Sequence, residues 1–315
     1  MADLLPFAVA GLRFHMRVRR SVHFPEAKAA NILRSALGVA MKRVHCSTFP
    51  ENGCQTVESC PHAQSCLYSK IFAPRAPENW PSGFQDLPRP FVLRASHLNG
   101  TTFPPASTFD FDLYLLSTLP SVYRALGSAL ASLSSSPFGP GDGAILLARV
   151  DNLGEDQQPA LPFDGKNLIK IDLALHGNTG KYTTEKLQIR FLSPIDLRTK
   201  GRTIHEPDFK ILFARLRERL LMLSRLYHKG EFGVGEDLLD LASEVRLIHW
   251  SGESQSVQRH SRTQDRAHDI GGITGTATYE GPIQPFLPWL KSAQWTGLGK
   301  HAVWGNGQIV CQIQE

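Results

Sequence analysis

Residues 271–315 read GGITGTATYEGPIQPFLPWLKSAQWTGLGKHAVWGNGQIVCQIQE and contain two predicted strands around a short helix. Periodicity and turn residues predict these elements over 273–279, 283–290 and 302–313. Glycines this dense beside a strand let a ligand approach the backbone and offer N–H groups to phosphate oxygens. This glycine-rich loop brackets Lys300 and His301 and is a predicted anion-binding element. Its glycines are Gly297, Gly299, Gly305 and Gly307.

The residues before this stretch complete a repeated order of elements. A long amphipathic helix is predicted over 208–228, with strands before and after it over 187–191 and 245–250. Together with the stretch above, the second half of the chain therefore reads β-α-β-β-α-β. The first half gives the same order, in the predicted segments 7–19, 25–44, 90–95, 107–116, 120–133 and 144–150.

The two successions predict an α+β protein made of two tandem ferredoxin-like (RRM-like) domains, with the glycine-rich loop near the carboxyl terminus. A polar linker rich in helix and strand breakers, DNLGEDQQPALPFDG at 151–165, separates them. We expect the domains to comprise residues 1–153, with a cysteine-containing insertion at about 46–88, and residues 154–315. The fold by itself predicts no activity, because it occurs in proteins of many functions.

The composition is that of a globular protein with a modest basic excess. Hydrophobic residues make up 42% and charged residues 20% of the 315 positions, which excludes a disordered or fibrous chain. The net charge of +5 permits a polyanionic partner without requiring one. The order of apolar and basic residues at the amino terminus is wrong for a signal peptide, and no apolar run is long enough to span a membrane. We therefore expect a cytoplasmic protein.

Four segments carry a family resemblance. Three of them are RSALGVAMKR at 34–43, RPFVL at 89–93, and FLSPIDLRTKGR at 191–202 with Pro-Asp-Phe at 207–209. The fourth is the glycine-rich stretch, which follows the pattern G-G-x-x-G-x-x-x-Y-x-G … F-x-P-x-L … G-x-G-K-x-x-x-x-G-x-G. These segments resemble the RAMP superfamily, and within it the CRISPR-associated endoribonucleases that cut precursor CRISPR RNA at its repeats. The resemblance implies the same two-domain fold, CRISPR repeat RNA as the partner, and no membrane.

The resemblance also implies a metal-independent transesterification, in which the RNA 2′-hydroxyl attacks the adjacent phosphate and leaves a 2′,3′-cyclic phosphate. Such a reaction needs a base, an acid and positive charge for the phosphorane, but neither a protein nucleophile nor a cofactor. Relatives commonly carry a catalytic histidine on or near the first helix, and histidine titrates in the right range. This implies His45 as the first candidate and His23 as the second. Lys42 or Arg34 would stabilise the phosphorane, and Tyr68 would donate or orient a proton.

One face of the first predicted helix is basic and free of acidic residues. At about 100° per residue its members share one arc, opposite an apolar side. Gly38 lies within this arc, where so small a residue would let an RNA backbone come close. The alternative is that Gly38 packs under a neighbouring loop. The predicted RNA-binding residues of this face are Asn31, Arg34 and Ser35, and the arc also includes Lys42 and His45.

Four of the five cysteines lie in one loop with the spacing C-x₇-C-x₅-C-x₅-C. In a cytosolic protein such clustering favours metal binding over disulfides, and four thiolates would close a structural zinc site. An iron–sulfur cluster is the less favoured metal centre, and His62 would replace one cysteine if the wide spacing prevents a four-cysteine site. The alternative is a loop of free thiols. The cysteines are Cys46, Cys54, Cys60 and Cys66.

Further basic residues occur in polar loops of the second half. The segment VQRHSRTQDRAHD carries the predicted RNA-positioning residues Arg259, His260 and Arg262, and another loop carries Lys200 and Arg202. Such irregular basic loops suit single-stranded RNA, whereas their alternative is a mobile surface with no ligand. Two tryptophans beside the glycine-rich loop, Trp295 and Trp304, are candidates for stacking on a base.

Two other functions are compatible with these patterns. A RAMP subunit that binds RNA within a CRISPR effector complex would keep the fold and lack the chemistry. A metal-dependent nuclease or redox module built on the cysteine loop would lose activity to chelators. Against this second alternative, the sequence has no apparent acidic cluster of the kind that binds Mg²⁺.

Overall fold

The computed structural model describes residues 8–46, 49, 60–78, 80–81, 87–139, 141–173, 185–199, 201–228, 235–261 and 266–314. Contacts divide the chain into two units, Ala8–Ile171 and Asp172–Glu315. For residues 259–261 and 266–268 the backbone alone is described.

The first unit begins with a strand whose residues alternate between the core and the opposite face. In this strand Phe14 and Met16 are buried, whereas Arg13 and His15, which alternate with them, are half-buried on the other face. This period of two is what a half-buried strand requires. The elements of the unit are β1 Ala8–Arg20, β2 Val22–Phe24, α1 Ala29–His45, α2 Leu67–Phe72, β3 Phe91–Arg94, β4 Thr101–Phe103, β5 Thr108–Leu115, α3 Pro120–Ser132, β6 Ala144–Leu153, β7 Pro159–Pro162 and β8 Ile171–Asp172.

The main sheet of this unit has the strand order β3-β5-β1-β6-β7, and β8 also pairs with β1. All the pairs along this order are antiparallel. Helices α1 and α3 follow β1 and β5 in sequence. Strands β3, β5, β1 and β6 therefore have the order 2-3-1-4 of a ferredoxin-like sheet.

The second unit repeats this arrangement. Its main sheet has the order β12-β15-β9-β16, again 2-3-1-4 for the four strands of a ferredoxin-like domain, and all neighbours are antiparallel. The prediction of two tandem ferredoxin-like domains is confirmed. The elements of the unit are β9 Glu185–Ile195, β10 Arg198–Thr199, β11 Arg202–Thr203, α4 Phe209–Tyr227, α5 Leu238–Leu241, β12 Arg246–Gln255, β13 Gln258–Ser261, β14 Arg266–Asp269, β15 Gly272–Gly281, α6 Leu287–Thr296 and β16 Ile309–Gln314.

The core of the second unit is formed by α4 and α6 on one face of this sheet. Phe213 of α4 packs edge-on against Trp289 of α6, with 5.4 Å between ring centroids. The hydroxyl of buried Tyr279 donates to the carbonyl of Pro207 at 2.7 Å, which ties β15 to the residue before α4. The N–H of Ile211 donates to the side chain of Asp208, which caps α4 and fixes where it begins.

Some boundaries differ from those that the sequence predicts. Residues 154–171 pack with the first unit, because β7 pairs with β6 and β8 pairs with β1. Helix α1 begins at Ala29, four residues later than predicted, and its first N–H donates to Asn99 from a distant turn. The last strand begins at Ile309, because residues 302–304 form a 3₁₀ turn.

The buried face of α4 gives a matched test of this core. Leu220 is fully buried, and its truncation in Leu220→Ala should lower the free energy of unfolding by about 2–5 kcal/mol through lost burial and a cavity. Leu192→Ala, at a side chain that is 39% exposed on β9, should change it by less than about 0.5 kcal/mol. Urea unfolding followed by tryptophan fluorescence reports this unit, which contains Trp250, Trp289, Trp295 and Trp304. Equal losses in the two variants would contradict the packing described.

Candidate nucleic-acid interface

The basic face of α1 lies against α2, which the sequence did not predict as a helix. Lys42 Nζ lies 4.8 Å from the centroid of the Tyr68 ring, a cation–π geometry. Tyr68 in turn stacks on Phe72, with 5.1 Å between centroids and nearly parallel planes. The structure thus brings together two of the predicted catalytic residues, Lys42 and Tyr68.

Gly38 faces α2 and not open solvent. A Cβ added to it would lie 3.3 Å from Phe72 Cε1, and the guanidinium carbon of Arg34 lies 5.5 Å from the centroid of the same ring. This contact favours the alternative, in which Gly38 packs under a neighbouring segment, over the prediction that it lets an RNA backbone come close. Of the other predicted binding residues here, Asn31 is half-buried and Ser35 is exposed.

His45 ends α1, three residues after Lys42 and so on the same side of the helix. Its Nε2 lies 3.3 Å from the carbonyl oxygen of Ala125 on α3. A carbonyl can only accept a hydrogen bond, so Nε2 is the donor, and in the neutral ring Nδ1 is then an acceptor. The half-buried imidazole is thus fixed at one nitrogen and has a lone pair on the other.

His23 lies elsewhere. It is exposed on β2, opposite Thr102 of β4, whose hydroxyl oxygen is 2.9 Å from His23 Nδ1. Strand β4 begins two residues after Asn99, whose side chain accepts from the first N–H of α1. His23 therefore belongs to the amino end of the 17-residue helix and His45 to its carboxyl end, about 24 Å apart along the axis. The two predicted histidines do not form one cluster.

The cysteines do not form a metal site in the described chain. Cys46, Cys60 and Cys66 are half-buried and make no disulfide there, and no three His, Cys, Asp or Glu side chains are grouped so as to hold a metal within those ranges. Cys54 lies outside the described residues. The zinc or iron–sulfur centre that includes Cys54 therefore stays a prediction. Cys66 instead precedes α2, and its N–H donates to the carbonyl of His62 at 3.0 Å.

The glycine-rich loop folds back onto the protein through its own amides. The N–H of Gly297 donates to Ala293 at 2.8 Å, and that of Gly307 donates to Pro194 at 3.0 Å. These two amides are therefore not offered to a phosphate, contrary to the prediction. The N–H groups of Gly299 and exposed Lys300 have no acceptor among the residues that the structure covers. The amides of Gly299 and Lys300 therefore stay candidates for binding an anion.

Close approach and backbone angle explain the glycines. Gly299 and Gly307 have φ of +74° and +75°, in the left-handed region. A Cβ at Gly299 would lie 2.9 Å from the carbonyl oxygen of Asp196, and one at Gly307 would lie 2.1 Å from that of Leu298. The remaining glycines, Gly297 and Gly305, also have positive φ and end α6 and the 3₁₀ turn.

Asp196, buried just after β9, is the point where the predicted RNA-binding segments meet. Arg198 Nε donates to both of its carboxylate oxygens, at 2.9 and 3.0 Å, and this hydrogen bond raises the pKa of Arg198. His301 Nε2 lies 3.7 Å from the same carboxylate. Asp196 and Arg198 are not among the site residues predicted from sequence, although both lie in the segment FLSPIDLRTKGR that carries the family resemblance. The sequence signal that could have identified them is the single aspartate of this segment, which is followed by a run of basic residues.

Arg198 and Arg202 share a small hairpin, because β10 pairs with β11 and places Arg202 opposite Thr199. Arg202 is exposed, and the predicted residue Lys200 lies outside the described chain. The hairpin therefore presents arginines beside the glycine-rich loop.

A second carboxylate borders Arg198. Asp269 accepts from the N–H of Gly271 at 2.7 Å, and this hydrogen bond, with those of Ser256 and Val257, lowers the pKa of Asp269. Asp269 ends the β13–β14 ribbon, on which Arg259 pairs with His268 and His260 with Ala267. The predicted residue Arg262 lies outside the described residues.

The two tryptophan candidates differ. Trp295 is 1% exposed and belongs to the core, so it does not stack on a base. Trp304 is half-buried and packs on His301, with 5.3 Å between ring centroids. His301 itself has a φ of +65°, which turns the chain from Lys300 into the 3₁₀ turn.

Two glycine variants separate the effect on stability of the close approach at Gly307 from the effect of its positive φ. Gly201 has a similar φ of +77° but nothing within 4 Å of an added Cβ. Gly201→Ala should therefore lower the free energy of unfolding by about 1–2 kcal/mol, the cost of a left-handed residue with a Cβ. Gly307→Ala should lower it further, because the Leu298 carbonyl must also move. Chemical denaturation of both variants measures the difference, and equal losses would show that close approach does not matter.

Comparison with known families agrees with this geometry. A family model described as AF_1859_N, N-terminal domain, matches residues 5–171. A second model, described as CRISPR-associated endoribonuclease Cas6, matches residues 189–309, from β9 through the glycine-rich loop to the start of β16. No curated protein matches the chain. No helix in the ranges described is long and apolar enough to cross a membrane.

Solved structures share the fold over nearly the whole chain. A Cas6 product complex has a TM-score of 0.56 at 17% identity and covers 96% of this chain and 100% of its own. Cas6 of Thermus thermophilus has a TM-score of 0.52 at 18% identity, covering 98% and 99%. A partial Cas6-RT-Cas1–Cas2 complex has a TM-score of 0.56 at 12% identity and covers 98% of this chain and 46% of that one. Residues 189–309 thus match the CRISPR-associated endoribonuclease family Cas6, and the tandem ferredoxin-like fold of the whole chain is that of the solved Cas6 structures.

Proposed function

We propose that this protein cleaves precursor CRISPR RNA within its repeats by metal-independent attack of the 2′-hydroxyl, which leaves a 2′,3′-cyclic phosphate. The observation that carries the proposal is the group at the carboxyl end of α1. His45 and Lys42 share one side of the helix there, and Tyr68 packs under Lys42. A base, a positive charge and a phenolic hydroxyl are the groups that this reaction uses.

His45 is the proposed general base. Its Nε2 donates to the carbonyl of Ala125, which fixes the ring and leaves the Nδ1 lone pair to accept the 2′-hydroxyl proton. His23 is the weaker candidate, since it belongs to the opposite end of α1 and has no lysine or tyrosine partner among the residues described.

Lys42 and Tyr68 are proposed to act on the phosphate and the leaving oxygen. The ammonium of Lys42 would stabilise the charge of the phosphorane, and its position over the Tyr68 ring restricts its movement. The Tyr68 hydroxyl would donate to, or orient, the proton that the leaving 5′-oxygen receives. The nucleophile belongs to the RNA, so the proposed reaction assigns no role to the cysteines or to a metal.

The proposed contact with single-stranded repeat RNA lies in the second unit. Arg198 and Arg202 on the β10–β11 hairpin, with Lys300 on the loop, offer cations to the sugar–phosphate backbone, and His301 lies beside them. The adjacent amides of Gly299 and Lys300 add two donors of the kind that bind a phosphate oxygen.

The first test uses a labelled repeat RNA in EDTA, together with the same RNA carrying a single 2′-deoxy nucleotide at the cut position. We expect cleavage of the ribose substrate, with a 2′,3′-cyclic phosphate product, and binding without cleavage of the deoxy substrate. Loss of cleavage in EDTA would overturn the metal-independent mechanism.

A matched pair of histidine variants tests the base. His45→Ala should reduce the single-turnover cleavage rate about 10²–10⁴-fold, the usual contribution of a general base, and should leave RNA affinity nearly unchanged. His23→Ala is the control and should cleave at close to the normal rate. Loss of cleavage in His23→Ala with a normal rate in His45→Ala would instead assign the active site to the amino end of α1.

The alternative function, an RNA-binding RAMP subunit without catalysis, is favoured by one observation. Phe72 and Tyr68 cover much of the basic face of α1, which lowers its access to RNA. Tight binding of the ribose substrate with no cleavage would support this alternative. In a solved neighbour, Cas6 occurs with RT, Cas1 and Cas2, so we extend the proposed partners to other CRISPR-associated proteins.

A further inference from the structure

The carboxylate of Asp196 binds the guanidinium of Arg198 and lies near the imidazole of His301, which comes from a separate segment. Its side chain is 4% exposed, whereas that of Arg198 is 43% exposed and that of His301 is 19% exposed. Arg198 is bound through Nε at 2.9 Å, and His301 Nε2 lies 3.7 Å away. A ligand approaching this surface therefore meets the guanidinium of Arg198 before the buried carboxylate that orients it.

The backbone of the same residue limits the position of the glycine-rich loop. The carbonyl oxygen of Asp196 lies 2.9 Å from where a Cβ of Gly299 would be, so that loop and residue are in direct contact. Gly307, at the other end of the loop, donates to Pro194, two residues before Asp196. The hairpin and the loop are thus both attached to residues 194–198.

We propose that Asp196 is a positioning residue for RNA binding, which holds Arg198 so that its guanidinium, together with Lys300, binds one phosphate of the repeat RNA. The inference rests on the RNA-binding half of the proposed function and not on its chemistry. It adds to that function a buried acid that does not touch RNA and on which the binding arginine depends.

The hydrogen-bond pattern of Arg198 fits this role. Its Nε is used by Asp196, and in the described chain no acceptor lies on its two Nη groups. A guanidinium held through Nε presents its terminal N–H groups as a fork, which matches two oxygens of a phosphate. Asp269, the other carboxylate near Arg198, is already engaged by Gly271, Val257 and Ser256 and does not bond to the guanidinium.

Purely structural aspartates exist in the same unit and make a control possible. Asp208 caps α4 by accepting from the N–H of Ile211 at 2.9 Å and bonds to no arginine among the residues described. Asp208→Asn and Asp196→Asn make the same chemical change, so any general loss of stability should appear in both.

The experiment measures anisotropy of a labelled single-stranded repeat RNA over a range of salt concentrations. Asp196→Asn should weaken binding about tenfold, as expected for one displaced charge-assisted contact. It should also reduce the slope of log K against log salt by about 0.7, the value for one phosphate contact on a single strand. Asp208→Asn should change neither quantity.

A double-mutant cycle tests whether Asp196 acts through Arg198. Arg198→Gln, at a largely exposed side chain, should weaken binding to a similar degree, and adding Asp196→Asn should have little further effect. In single-turnover cleavage, each variant should raise the half-saturating RNA concentration and leave the maximal rate unchanged. Additive losses in the double variant, or normal binding by Asp196→Asn, would overturn the inference.

The outcomes also separate this inference from the proposed function. Binding by the unmodified protein without cleavage would remove the proposed chemistry and leave the role of Asp196 standing. Failure of the unmodified protein to bind repeat RNA at any salt concentration would overturn both the RNA-binding proposal and this inference.

Discussion

The contact between the glycine-rich loop and the end of β9 is the constraint on which the candidate binding surface depends. Gly307 donates to Pro194, and Gly299 lies against the carbonyl of Asp196 too closely for any side chain. Because residues 194–198 are anchored in the central part of the sheet through β9, the loop takes a defined position although a single 3₁₀ turn is its only regular structure in the described residues. Lys300 and His301 at its tip are placed mainly by this packing.

Most strands and long helices can be predicted from the local sequence. The candidate site, in contrast, depends on contacts between residues that are far apart in the chain. Period-two and helical patterns predict the strands and the long helices, because each element buries one face and its residue spacing records that face. The start of α1 was missed, since it depends on Asn99, some 70 positions away in the chain. The 154–171 segment reads as a linker because its prolines and polar residues hide an edge strand, β7, that pairs with β6.

The basic face of α1 illustrates the same limit at the level of function. A helical projection at about 100° per residue identifies which residues share this face, and in the structure Lys42 and His45 do lie on one side of α1. It does not identify what covers the face, because a six-residue helix such as α2 is too short to leave a periodic signal. The sequence therefore predicts Tyr68 as a partner only through the family resemblance, and it misses the packing of Phe72 on Gly38.

Orientation matters more than total charge in a protein of this composition. A net charge of +5 over 315 residues gives a weak overall field, so attraction for a polyanion must come from a few well-placed groups. Buried carboxylates supply that placement in both units. Asp112 accepts from Arg13 Nε at 2.7 Å and from its Nη2 at 3.0 Å on the first sheet, whereas Asp196 accepts from Arg198 Nε alone. Each pair has no net charge, yet the Asp196 pair holds the exposed guanidinium of Arg198 in one fixed geometry with its Nη groups still available. In a simple charge count an aspartate opposes RNA binding. In the proposed arrangement Asp196 favours it, because it fixes the orientation in which the exposed Arg198 can bind a phosphate.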